Sequence, residues 1–194
     1  MTQKSGVLFV QGLDVFGSVM DQMEAADWER ATPCEGWRAL DVLGHLGSAL
    51  EMGISILRNE QPSWPQADRP GDLIDGDPVA YWQNLAAQSR DALEGVDLDV
   101  VMDTSMGPRS VADRIAFPAI DLFVHAWDIG QAIGVTIEMP AEVIEFTHGY
   151  IDPMPVDKVR GPEAAFRAEV TPAPDASPTN VFMAWTGRTP LLPA

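Results

Sequence analysis

From the N-terminus to about residue 160 the apolar positions recur at helical spacing, and few stretches alternate with the two-residue period of a strand. Phe9, Leu13, Phe16, Met20 and Met23 step by four, three, four and three, which predicts a first amphipathic helix over about residues 7–28. Pro33 and Gly36 break the pattern. A second helix over about residues 38–59 carries Leu43, Leu46, Leu50, Ile54 and Leu57 on one stripe. A loop rich in Pro, Gly and Asp follows over about residues 60–77. The third helix spans about residues 78–93, with Pro78 at its first position, where a missing N–H costs nothing.

Ser110 with Asp113 three residues on reads as a capping box for a fourth helix that Gly134 ends. Pro118 either kinks this helix or marks its start. A shorter fifth helix covers about residues 140–150. Residues 161–194 are richer in Pro and small residues, and Phe182, Met183 and Trp185 there suit one short docked helix or strand. The pattern therefore predicts an all-α protein. It is an antiparallel four-helix bundle over residues 1–160, with an extra short helix and a C-terminal tail (161–194) packed on the bundle as part of the same domain. The connections on either side of the third helix exceed what a minimal bundle needs, a common mark of functional loops.

Charge and composition narrow the function. With 12 basic and 29 acidic residues the net charge is −17, which sets the chain against phosphate backbones and anionic lipid, so neither nucleic acid nor membrane is expected as a partner. No apolar run approaches the roughly 18 residues of a span, and the N-terminal segment lacks a signal-peptide pattern. Cys34 is the single cysteine, so no internal disulfide forms and a cytoplasmic location is expected. A homodimer is left open.

Candidate chemistry centres on three histidines. His45 sits mid-helix at the inner edge of the second stripe. Asp121 and His125 lie four apart on the fourth helix, so their side chains share a face and can chelate one ion. A third ligand from His45 completes two imidazoles and a carboxylate, a set that suits Zn²⁺ and also Fe²⁺, Ni²⁺ or Mn²⁺, with positions left for water or substrate. Glu145 and His148 form one E-x-x-H pair, whereas a di-iron bundle needs two such pairs and two further Glu. His148 is expected at the surface. Arg38 is a candidate for holding a substrate or cofactor carboxylate. Trp37 is expected to pack at the start of the second helix and aim His45 inward. Cys34 beside Glu35 is disfavoured as a thiolate and is expected to be structural. There is no G-x-S-x-G, no Walker loop and no G-x-G-x-x-G after a strand.

Two stretches carry a resemblance. One runs Thr32-Pro33-Cys34-Glu35-Gly36-Trp37 and then Asp41-Val42-Leu43-Gly44-His45-Leu46. The other runs Asp121-Leu122-Phe123-Val124-His125-Ala126-Trp127-Asp128-Ile129-Gly130 and on to Gly134. With the ending Thr186-Gly187-Arg188-Thr189-Pro190, they resemble the metal-binding branch of the DinB-like superfamily, similar to the N-terminal domain of mycothiol-dependent maleylpyruvate isomerase. The resemblance implies a four-helix bundle holding a divalent metal, usually zinc, on His45, Asp121 and His125. It also implies a low-molecular-weight thiol as cosubstrate, mycothiol in actinobacteria, acting on a small electrophilic molecule by S-transfer or thiol-dependent isomerisation. The isomerase has Glu where this chain has Asp121, and a C-terminal α/β domain completes its site. Ten Arg against two Lys are compatible with an actinobacterial, GC-rich source. The readings that compete with a thiol enzyme are a metal-binding bundle of stress or regulatory function without turnover, and a zinc hydrolase using metal-bound water.

Overall fold

Residues 2–104, 107–161 and 164–191 are described by the computed structural model. Four long helices build the core: α1 (Thr2–Met20), α2 (Ala39–Leu57), α3 (Pro78–Leu93) and α4 (Val111–Ile133). The stripes read from the sequence are the buried faces, with Phe9, Leu13 and Phe16 of α1 and Leu43, Leu46 and Leu50 of α2 all but sealed from solvent. Among the described residues only α2 is long and apolar enough to cross a membrane by length and composition, and most of it is buried against the other helices.

Gly6 of α1 lies against Leu93 and Leu98, at and just beyond the end of α3, while Gly17 lies against Trp82 near its start, so α1 and α3 are antiparallel. His45 of α2 meets His125 of α4, and Gly53 meets Pro118, so α2 and α4 are antiparallel too. Phe9 reaches the level of Gly53 and Pro118, and Gly12 packs on Leu122 and Phe123, so α1 runs the same way as α4. The helices therefore go up, down, down, up. This accounts for the long second connection: a chain leaving α2 must travel back along its roughly 28 Å before α3 can begin at the same end.

The returning loop is fastened to the first half of α2. The Ser48 hydroxyl donates to the Pro65 carbonyl at 2.9 Å, the Gly71 N–H donates to the Asp41 carboxylate at 3.3 Å, and Arg69 pairs with Asp41 at 3.5 Å. Small residues on α2 make room for it. A Cβ at Gly44 would run into the Pro70 carbonyl, and one at Gly47 into the Tyr81 hydroxyl. Gly44→Ala is accordingly expected to cost about 1–3 kcal/mol through overpacking. Gly149→Ala, in an exposed helical position with open space around it, should be neutral or stabilising by up to about 1 kcal/mol. Denaturant titration of both variants checks this, and equal midpoints would contradict the loop's close seat on α2.

Two expected boundaries move. The first helix stops at Met20, not near residue 28, because the Asp27 side chain accepts from the Glu24 N–H at 2.9 Å and holds that stretch in a turn followed by a short 3₁₀ segment (Asp27–Glu29). The fourth helix starts at Val111 on the Ser110–Asp113 capping box and carries Pro118 inside it. Asp121 therefore sits deep within α4, well beyond its capping turn.

A two-stranded antiparallel hairpin, β1 (Val101–Met102) with β2 (Arg109–Ser110), leads into α4. Beyond the bundle come α5 (Ala141–Ile151), the single turn α6 (Val156–Val159) and α7 (Pro178–Trp185). The tail does dock on the bundle, as a helix: Phe182 and Met183 of α7 join the main core, and Trp127 Nε1 donates to Asn180 Oδ1 at 3.2 Å.

Candidate metal centre

The turn that opens α2 fixes its first residues. Thr32 N–H donates to the Trp37 carbonyl at 3.1 Å and Trp37 N–H to the Cys34 carbonyl at 2.9 Å, with Gly36 at φ +81°, a left-handed conformation that glycine adopts without strain. Two turns into α2, His45 points at α4. Its ring centroid is 5.1 Å from that of His125, and its Nε2 is 3.9 Å from Asp121 Oδ2. His45, Asp121 and His125 each place a donor atom within 4.8 Å of the others. The trio singled out from spacing is thus brought together, on two antiparallel helices.

Asp121 is 7% exposed, and among the described residues no N–H or O–H donates to its carboxylate; the His45 contact is too long for a hydrogen bond. Burial raises its pKa from the ordinary aspartate value near 3.8 to about 6, against the pull of His125 and Arg188. Burial also lowers His45, helped by His125 and Arg188, to about 3. Its imidazole is therefore neutral at physiological pH, the form that ligates metals. In the metal-free chain the raised Asp121 pKa is a stability cost at pH 7 that begins to shrink as pH falls through about 6, where the folded state takes up the proton first, and is gone below the ordinary value near 3.8. Asp121→Asn is expected to stabilise the metal-free protein at pH 7 by up to about 3 kcal/mol, with the gain shrinking toward pH 4. Denaturation of both proteins across that range checks it; an Asn variant less stable at pH 7 would contradict the unpaired burial.

Behind His125 lies a network not assigned from the sequence. Asp128 is fully buried and accepts from His125 Nδ1 at 2.9 Å, which leaves Nε2 as the free donor atom. Arg188, from the turn after α7, donates through Nε to both Asp128 oxygens at 2.8 and 3.0 Å, and through Nη1 to Thr186 Oγ1 at 3.2 Å. Burial opposes ionisation of Asp128, but the Arg188 charge and the His125 hydrogen bond prevail and hold it down at about 2. The signal for Asp128 was its position three residues after His125, and for Arg188 its place in the Thr186–Pro190 ending.

Cys34 also reaches this network. Its thiol donates to Asp128 Oδ2 at 3.2 Å, and Arg188 Nη2 approaches the sulfur at 3.4 Å. Burial pushes the thiol pKa up, and the Asp128 charge reinforces this, so the proton stays on sulfur. Cys34, His125 and Asp128 form a second group with metal-ligand spacing. Their donors are spent on one another, and the adjacent guanidinium repels a cation. The His45–Asp121–His125 group is the one whose charge and free valences suit an ion.

Arg38 lies outside it: Nε donates to Asp41 Oδ2 at 3.0 Å and Nη1 to Glu29 at 2.9 Å, so its guanidinium anchors the start of α2. Trp37 is half-buried and stacks obliquely on His45 at 5.0 Å. His148 is half-buried, packed on Trp185 at 4.3 Å in the wall of a separate cavity of about 560 Å³ between α5 and α7, and Glu145 and His148 join no metal-type cluster among the described residues.

Comparison with known proteins identifies the family and the fold. The family model for the mycothiol maleylpyruvate isomerase N-terminal domain matches residues 10–130. Among solved structures, mycothiol-dependent maleylpyruvate isomerase superposes with a TM-score of 0.59 at 12% identity, and a histidine-to-alanine mutant of it with 0.57 at 13%. Each alignment covers 75% of this chain and 67% of the other. At that identity the likeness establishes the fold. No curated protein matches the chain.

Proposed function

Because the chain belongs to the family of mycothiol maleylpyruvate isomerase N-terminal domains, we propose that it holds a divalent metal, zinc by preference, on His45, Asp121 and His125 and uses it with a small mycothiol-type thiol to act on a small electrophilic molecule. One observation carries the reading: a buried carboxylate with no hydrogen-bond donor faces two imidazoles, one neutral by burial and the other with its far nitrogen held by an acid. The Asp121 side chain keeps only 10% of its surface in contact with solvent and no donor of the described chain satisfies it, and a cation would supply what the chain does not.

A bound ion supplies Lewis acidity, which lowers the pKa of a thiol so that it reacts as thiolate near neutral pH. The chain's own residues set the conditions. Asp121 brings one negative charge and no competing proton above about pH 6. Asp128 fixes the His125 tautomer and ring orientation, and Arg188 keeps Asp128 ionised. Cys34, protonated and engaged, leaves the nucleophilic sulfur to come from the cosubstrate. With an ion held there, either thiol-dependent isomerisation or simple S-transfer would be open to a thiol seated at His45, Asp121 and His125.

The proposal is tested by thiol consumption with an electrophile before and after chelation. Activity should vanish in the metal-free protein and return with zinc; a chelated protein that keeps full activity would overturn it. Zinc affinity should fall as pH drops below about 6, where protonation of Asp121 begins to compete for the site.

A further inference from the structure

His45 has two tryptophan rings as neighbours. Trp37 lies 5.0 Å from it, and Trp64 meets it edge-on at 5.9 Å. The two tryptophans come from different segments, the turn before α2 and the loop returning along it. Trp64 is 40% exposed, a large apolar surface left in solvent beside a candidate metal ligand. Its place is fixed. Pro62 and Pro65 flank it, and the Pro65 carbonyl takes the Ser48 hydroxyl one turn beyond His45. Folding gains little from holding an indole in water, whereas a ligand seated there would cover it.

The charges around the site point the same way. The arginines that the surrounding segments supply are each ion-paired already: Arg30 with Asp27, Arg38 with Glu29 and Asp41, Arg69 with Asp41, and Arg188 with Asp128. A dicarboxylate entering here would meet committed guanidinium groups and a chain of net charge −17.

We propose that Trp37 and Trp64 form the wall of an electrophile subsite for a flat, uncharged aromatic or conjugated group, and that the site disfavours dicarboxylates. This inference rests on the thiol reading above and adds its substrate class. With 1-chloro-2,4-dinitrobenzene as probe, the thiolate sulfur bonds to the ring carbon bearing chlorine, the C–Cl bond breaks, chloride leaves with the electron pair, and the thiol proton goes to solvent.

The experiment compares 1-chloro-2,4-dinitrobenzene with maleate, a dicarboxylate electrophile, using zinc-loaded protein and mycothiol. The neutral aromatic should give at least tenfold higher kcat/KM. Trp64→Ala should raise its KM about tenfold with kcat little changed, and Trp64→Phe should restore most of the loss. A second measurement does not depend on turnover: unreactive 1,3-dinitrobenzene should shift the indole N–H resonances of Trp37 and Trp64, and Trp64→Ala should weaken that binding about tenfold. Preference for maleate, an unchanged KM in Trp64→Ala, or no shift at either indole would overturn the inference. Absent thiol consumption with both electrophiles, alongside intact dinitrobenzene binding, would sink the thiol reading and leave the aromatic subsite standing.

Discussion

Replacement of His125 by alanine is expected to reduce zinc affinity by roughly 10²- to 10³-fold. A structural zinc site binds with about 10–16 kcal/mol shared among four ligands, so that one imidazole accounts for about 2.5–4 kcal/mol. His125 is the natural choice because its Nδ1 is held by Asp128 and only Nε2 remains to bind. The fold should survive, since the imidazole makes its one hydrogen bond to an acid that Arg188 also satisfies. Elemental analysis after dialysis, with thermal unfolding to confirm the fold, reads the result. Equal metal occupancy in the wild type and in a folded His125→Ala protein would place the ion elsewhere.

Asp128→Ala should be the most damaging substitution for the fold. It removes the carboxylate that neutralises Arg188, whose guanidinium is nearly sealed from solvent, and it frees His125 Nδ1. Breaking a buried pair by deleting one partner costs about 3–5 kcal/mol, because the survivor is left charged and uncompensated. The double variant Asp128→Ala with Arg188→Met should recover part of the loss, since no charge is then stranded. Asp128→Asn keeps an acceptor for His125 without the charge and should weaken zinc binding about 10- to 100-fold through ring orientation. A double-mutant cycle by urea denaturation measures the coupling. Additive losses would mean that Asp128 and Arg188 do not act as a pair.

Local rules made the helices legible. Pro78 and the Ser110–Asp113 box sit where helices begin, and Gly134 ends α4 in a left-handed conformation at φ +76°. The i, i+4 spacing of Asp121 and His125 placed two site groups on one face before any packing was known. Other features depend on distance in space that spacing cannot encode. Asp128 shares a helix with His125, yet its partner Arg188 comes 60 residues later, after α7 has reversed the chain. The parallel course of α2 and α3 was hidden because a stripe fixes which face is buried and says nothing of direction. Its trace was the small residues Gly44, Gly47 and Ser48, which accept a returning loop and Tyr81. Trp64 lies in the loop rich in Pro, Gly and Asp, where nothing local marks it, and only the seat of that loop on α2 brings it to His45.

An ion on His45, Asp121 and His125 that activates a thiol supplied from outside must take that thiol as a ligand. Replacing the native metal with Co²⁺ and titrating with mycothiol, while recording the near-ultraviolet absorption, tests this most directly. A sulfur-to-cobalt charge-transfer band that grows to saturation at one thiol per chain, and is absent from the His125→Ala protein, is the result expected. A cobalt-loaded wild type whose spectrum is unchanged by saturating thiol would contradict it.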